Sequence, residues 1–104
     1  MNTVRLKRGV VLIGNSPCLF EMIDAAKVAY FKLNKDVVIT SGAEGTHKPE
    51  SKHYTGEALD FRTRHLTDSQ RVEIMDDLRV RLGEDYDVVF EGDHFHVEYD
   101  PDVF

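Results

Sequence analysis

The chain has 104 residues, 41% hydrophobic and 31% charged, with a formal net charge of -6 and a single cysteine. That length suits one domain built on one core, residues 1–104, expected to act as a monomer. The acidic balance excludes a general nucleic-acid or anionic-membrane binder, whose footprint is a basic stripe, and one cysteine excludes an internal disulfide or a multi-cysteine zinc knuckle.

The basic cluster Arg5, Lys7 and Arg8 precedes the apolar run "GVVLIG". The run is shorter than the apolar core of a secretory signal and no small-residue cleavage site follows it, so it reads as an N-terminal strand, Val10 to Ile13, closed by Gly14-Asn15. Ser16 followed by Pro17 is a helix start, since a hydroxyl caps free N–H groups and proline at the first helical position loses no bond. Leu19, Ile23, Ala26, Tyr30 and Leu33 then form one apolar stripe, with Cys18 a small buried hydrophobe on the same helix. Asn34-Lys35-Asp36 ends it, and the β-branched "VVIT", Val37 to Thr40, follows as a strand.

From Ser41 to Gly56 the periodicity vanishes. A structureless loop of that length in a small domain is more often functional than idle. "EALDFR" then alternates, with Glu57, Leu59 and Phe61 on one face and Ala58, Asp60 and Arg62 on the other. Thr67 and Gln70 make a capping box for a second helix, whose stripe is Val72, Met75, Leu78 and Leu82 and whose stop is Gly83. "YDVVFEG" and "HFHVEY" read as a hairpin turning near Gly92-Asp93. The order of elements predicts an α+β domain with a mainly antiparallel sheet and two helices packed on it. No run reaches the roughly 20 apolar residues that span a bilayer.

The polar residues that stand out lie on strands and loop. His53 ends the long loop, Asp60 sits inside an apolar strand, and His94 and His96 project from one face of the last strand because strand side chains repeat every two residues. Each alone has an ordinary explanation: a loop histidine, a carboxylate paired with Arg62 or Arg64, a solvated strand edge. Together they offer two imidazoles and a carboxylate, a donor set that suits Zn²⁺ and leaves a fourth position open, as catalytic zinc sites do.

"SKHYTGEALD" matches an SxHxxGxAxD signature, and "EGDHFHVEYD" carries HxH with acidic residues shortly before it. In these motifs the chain resembles the zinc D-alanyl-D-alanine carboxypeptidases and related murein peptidases, whose metal fold is shared with the amino-terminal domain of hedgehog proteins. With "VVITSG" the resemblance runs from roughly Val37 to Asp100, in the family's order. It implies that His53 and Asp60 are zinc ligands and that one histidine of the last strand is the third. Members with HxH use the second, which points to His96 and leaves His94 to bond substrate or the developing oxyanion. Relatives of the form ExxH would instead pair Glu91 with His94 as base and ligand. The same spacing joins Asp93 to His96, making Asp93 the base and Glu91 its rival.

Ser51 matches the motif serine that contacts substrate or supports the site. Gly56 permits the turn from His53 into the strand bearing Asp60, and Ala58 keeps space open below the metal. The chain departs from the family after "SG": Ala43 and Glu44 stand where many relatives have an aromatic and a substrate-holding arginine, leaving His47, Lys48, Lys52 or Arg62 as substitutes. The resemblance implies hydrolysis of an amide bond in a peptidoglycan peptide, by a carboxypeptidase or a cell-wall endopeptidase such as a phage lysin. The other reading is an inactive zinc-binding module. A protein made in the cytoplasm without a signal would reach the wall only after release or export.

Overall fold

Five strands form one mixed sheet and two helices pack on it, an α+β arrangement, over the residues that the computed structural model describes, 2–13, 17–45 and 51–101. The strands are β1 (Val4–Leu6), β2 (Val37–Ser41), β3 (Ala58–Arg62), β4 (Tyr86–Phe90) and β5 (His94–Tyr99), in the spatial order β1-β2-β3-β5-β4. β1 runs parallel to β2, and the pairings of β2 with β3, β3 with β5, and β5 with β4 are antiparallel. The helices are α1 (Pro17–Phe31) and α2 (Asp68–Leu82).

Local chemistry explains the helix ends. α1 closes in a Schellman motif: Asn34 takes a left-handed φ of 59°, Asn34 N–H bonds Phe31 O and Lys35 N–H bonds Tyr30 O. The capping box before α2 is complete, with Thr67 Oγ1 accepting from Gln70 N–H and Gln70 Oε1 accepting from Thr67 N–H. The helix stops at Gly83, whose φ is 79°. Ser16 and Gly14-Asn15 lie outside the described residues.

The stripe of α1 buries Leu19, Met22, Ala25, Ala26, Ala29 and Tyr30, with Cys18 half-buried beside them. Ile23 and Leu33 are only partly buried, and Leu33 follows the helix. On α2 the inward residues are Ile74 and Leu78, while Val72 is 45% exposed. The predicted stripe was centred too far to one side because Val72 and Ile74 are two residues apart and only one can face inward. Leu59, Phe61, Val88, Phe95 and Val97 meet these helices in one core, and each such side chain removed from water contributes about 1.5–3 kcal/mol.

The predicted strand at Val10 to Ile13 is not one. The strand lies earlier, at Val4–Leu6, and the chain turns at Gly9, φ 92°, with Val10 N–H bonded to Lys7 O. Val10 and Leu12 pack on the core without joining the ladder. The backbone polar groups of Val11 are taken up elsewhere, its N–H by Glu44 Oε1 and its carbonyl by Ala43 N–H. Apolar content put the run against the core, but a side chain and a loop captured its hydrogen bonds first.

Alternation sorts the sheet into two chemistries. Leu59, Phe61, Phe95 and Val97 point into the core, which leaves Asp60, Arg62, His94, His96 and Glu98 on the opposite face. Register sets Asp60 directly across from His96 and Arg62 across from His94. Among the described residues no helix is long and apolar enough to cross a membrane.

Candidate metal centre

His53 is fixed by its own turn. It lies in a 3₁₀ helix, Lys52–Thr55, whose N-cap is Ser51: the Ser51 hydroxyl accepts His53 N–H at 3.2 Å. Gly56, at φ 76° and ψ 15°, closes the turn by donating its N–H to His53 O and sends the chain into β3. That left-handed conformation favours glycine. The imidazole is buried, with Nδ1 donating to Gly42 O at 3.0 Å. A carbonyl can only accept, so this bond puts the proton on Nδ1 and turns Nε2 toward Asp60, 3.4 Å from Oδ1.

Gly42 is placed by close packing. A Cβ on it would stand 2.4 Å from Val11 O. Glu44 braces the same loop, accepting N–H bonds from Val11 and Gly42 and the Ser41 hydroxyl. Burial pushes the Glu44 carboxyl up, but these donors hold it below its ordinary range.

Asp60 and His96 meet across the β3–β5 pair. His96 Nδ1 lies 2.9 Å from Asp60 Oδ1, and its Nε2 donates to Glu98 Oε1 at 2.9 Å. The bond to Asp60, weakened by burial and reinforced by Glu98, raises the His96 pKa to about 9. Burial pushes Asp60 upward, but the imidazoles of His53 and His96 set against its carboxylate, with His94 nearby, outweigh it and hold the carboxyl well below its usual range. A shift in the register of β2 near Ser41 brings that residue opposite Asp60, and the Thr40 hydroxyl donates to Asp60 O.

One donor atom from each of His53, Asp60 and His96 lies within 4.8 Å of the others, so the three could hold a metal ion. The fit is good on chemistry and on spacing. Two imidazoles and a carboxylate suit a borderline divalent ion, and bonds of 2.0–2.1 Å in a tetrahedron put neighbouring donors about 3.3 Å apart. His53 Nε2 already stands 3.4 Å from Asp60 Oδ1. Each imidazole also has its other nitrogen bonded to an oxygen, Gly42 O or Glu98, the arrangement that orients a metal-binding ring and fixes its tautomer.

His94 sits beside this triad, with Nε2 3.8 Å from Asp60 Oδ2. His96 is therefore the histidine of the HxH pair that groups with His53 and Asp60. Both acidic residues singled out in the sequence grip His94 from opposite sides of its ring: Asp93 Oδ1 is 2.8 Å from Nδ1, and Glu91 Oε1 is 3.4 Å from Nε2. Burial lowers the His94 pKa, but Asp93, Asp60 and Glu91 together raise it. The turn at Gly92, φ 85°, and the bond from Thr63 N–H to Asp93 O set this end of the hairpin against β3.

Of the residues considered in place of the arginine of the resembled family, Lys52 is engaged elsewhere: its ammonium donates to Tyr99 O and pairs with Asp100 at 3.0 Å. Arg62 shares a cleft of about 200 Å³ with Asp60 and His94. His47 and Lys48 lie outside the described residues. Sequence reasoning missed Glu98, although a same-face position two residues beyond His96 was its signal. It also missed Gly42 O and the bracing role of Glu44, for which a local pattern gives no signal, since the partners that matter, His53 for Gly42 O and Val11 for Glu44, lie far off in the chain. Neither a scan of protein-family models nor a search of curated proteins finds a match to this chain.

Proposed function

We propose that the chain is a zinc-dependent peptidase that hydrolyses an amide bond in peptidoglycan peptides. The observation that carries the reading is the convergence of His53, Asp60 and His96 beside a cleft, with each imidazole backed by an oxygen. Bound there, zinc would supply the Lewis acidity that brings the ionisation of water toward neutrality and polarises a carbonyl.

The protein's own groups would manage protons and charge. Asp93 stands at Nδ1 of His94 and Glu91 and Asp60 at Nε2, carboxylates on both sides that favour the ring protonated on both nitrogens, so that it presents Nε2–H toward the triad. A donor in that position can bond the carbonyl oxygen as negative charge develops on it. Glu91 stands on the Nε2 side of the same ring. We assign Glu91, the rival base of the sequence reading, the proton taken from the attacking water, and Asp93, the base expected there, the orientation of His94. Ser51, whose hydroxyl caps the turn that carries His53, supports the site through that ligand.

A second reading, an inactive zinc-binding module, is favoured by one observation: Glu44, where relatives have the substrate-holding arginine, is folded inward as a loop brace. Zinc-loaded protein incubated with D-Ala-D-Ala peptides and with purified peptidoglycan separates the two. The peptidase reading expects turnover that falls about 10²–10⁴-fold in Glu91→Gln, with one zinc per chain retained. Full zinc occupancy without turnover on any of these substrates would establish the inactive module instead.

A further inference from the structure

The cleft beside the triad is walled by cations. Lys7, Arg62 and Arg64 line it together with Thr40, facing Asp60 and His94. In a chain of net charge -6 that is an uneven use of a small supply of basic residues. Arg5, Lys32, Lys52 and Arg81 are spent in ion pairs with aspartates. Lys7, Arg62 and Arg64 form no side-chain hydrogen bond or ion pair with any described residue. Two acids share the cleft: Asp60, which is taken up by the histidines of the triad, and Asp93, which feels Arg64 electrostatically and spends its hydrogen bond on His94.

We propose that Arg62 and Arg64, with Lys7 at the rim, form a carboxylate subsite that holds the free C-terminus of a peptide lying across the triad. The inference rests on the peptidase reading and narrows it to release of residues from a chain end. A guanidinium presents two parallel N–H donors that match a carboxylate, so arginine suits this task better than a lysine point charge. Spacing agrees. Arg62 follows Asp60 by two residues on one strand face, about 6.7 Å along β3, and an extended peptide covers about 3.3–3.6 Å per residue. A carbonyl held beside Asp60 and a carboxylate held at Arg62 are thus one or two residues apart. Arg62 is itself anchored, since its carbonyl accepts the buried Tyr30 hydroxyl at 2.9 Å and its partner across the sheet is His94.

The test is a binding measurement on the full chain that needs no turnover. Acetyl-D-Ala-D-Ala and its C-terminal amide are titrated calorimetrically into wild-type protein and into the double variant Arg62→Gln/Arg64→Gln, with and without zinc. The expected result is that wild type binds the acid about tenfold or more tightly than the amide. The double variant should lose that preference while keeping its melting temperature and zinc content. Equal affinity for acid and amide, binding of neither, or a preference that survives in the double variant would overturn the subsite. So would inorganic phosphate binding more tightly than the peptide acid, which would identify a phosphate site. A protein that discriminates acid from amide but never hydrolyses either refutes the peptidase reading alone. One that cleaves both equally refutes the carboxylate subsite alone and is an endopeptidase.

Discussion

Glu98 is the sharpest probe of the candidate metal centre, because it bonds His96, a candidate ligand, through the nitrogen turned away from Asp60. It accepts from His96 Nε2 at 2.9 Å, which leaves Nδ1 as the nitrogen that faces Asp60. Replacing Glu98 with valine puts a β-branched residue suited to a strand in its place and removes the acceptor, so the ring loses both the bond that orients it and the charge that raises its basicity. Loss of such a partner costs about 10–100-fold in metal affinity, equivalent to about 1.4–2.8 kcal/mol. The metal-free protein should respond far less. Glu98 clusters with the carboxylates of Asp87 and Asp100, and Lys52 lies 3.8 Å from it. The bond lost to His96 and the repulsion relieved oppose each other, so metal-free stability should change by under about 1 kcal/mol. Competition with a chromophoric chelator gives the zinc affinity, and urea unfolding in chelator gives the stability. Glu98→Gln, which keeps an acceptor oxygen, should retain more of the affinity than Glu98→Val. If Glu98→Val binds zinc as tightly as wild type, His96 Nδ1 is not a ligand and the triad loses its third member.

Three further outcomes follow from the same geometry. Zinc at about 100 times its dissociation constant should add about 2.7 kcal/mol and raise the melting temperature by about 10 °C, an effect absent in His53→Ala and reversed by chelator in thermal scans. Gly42→Ala would set a Cβ 2.4 Å from Val11 O. Moving that loop should cost about 1–3 kcal/mol in urea unfolding and weaken zinc binding by displacing the carbonyl that holds His53. Glu44 has a carboxyl lowered in the fold, so its contribution is present above its unfolded value of about 4.3 and is lost as pH falls through the lower folded value. In Glu44→Gln the stability at neutral pH should drop and the acid limb, measured by urea unfolding between pH 3 and 7, should flatten.

What the sequence made legible is what local rules encode. The capping box of Thr67 and Gln70, the stop at Gly83 and the hairpin turn at Gly92 depend on neighbours within a few residues, and all three stand in the structure. Period two puts His94 and His96 on one face of their strand and Asp60 on the polar face of its own, and the resemblance of the motifs picked out Asp60 and His96 as site residues. Their facing each other could not, because register is a pairing between strands separated by α2. The strand at Val10 to Ile13 failed for the same reason: an apolar run fixes burial, whereas its hydrogen bonds went to Ala43 and Glu44 across a long stretch of chain.

That failure and the metal centre share one physical cause. The Val10–Ile13 segment gives up a ladder so that Val11 can clamp Ala43 and Glu44, and the clamp holds Gly42 where its carbonyl meets His53 Nδ1. A residue with a side chain at position 42 would collide with Val11 O. The N-terminal segment thus helps orient His53, a candidate ligand, and Glu44 does so as a brace of the same loop. On the peptidase reading an anionic end of a substrate would meet the cations that share the cleft with Asp60, namely Lys7, Arg62 and Arg64, whose side chains pair with no other described residue.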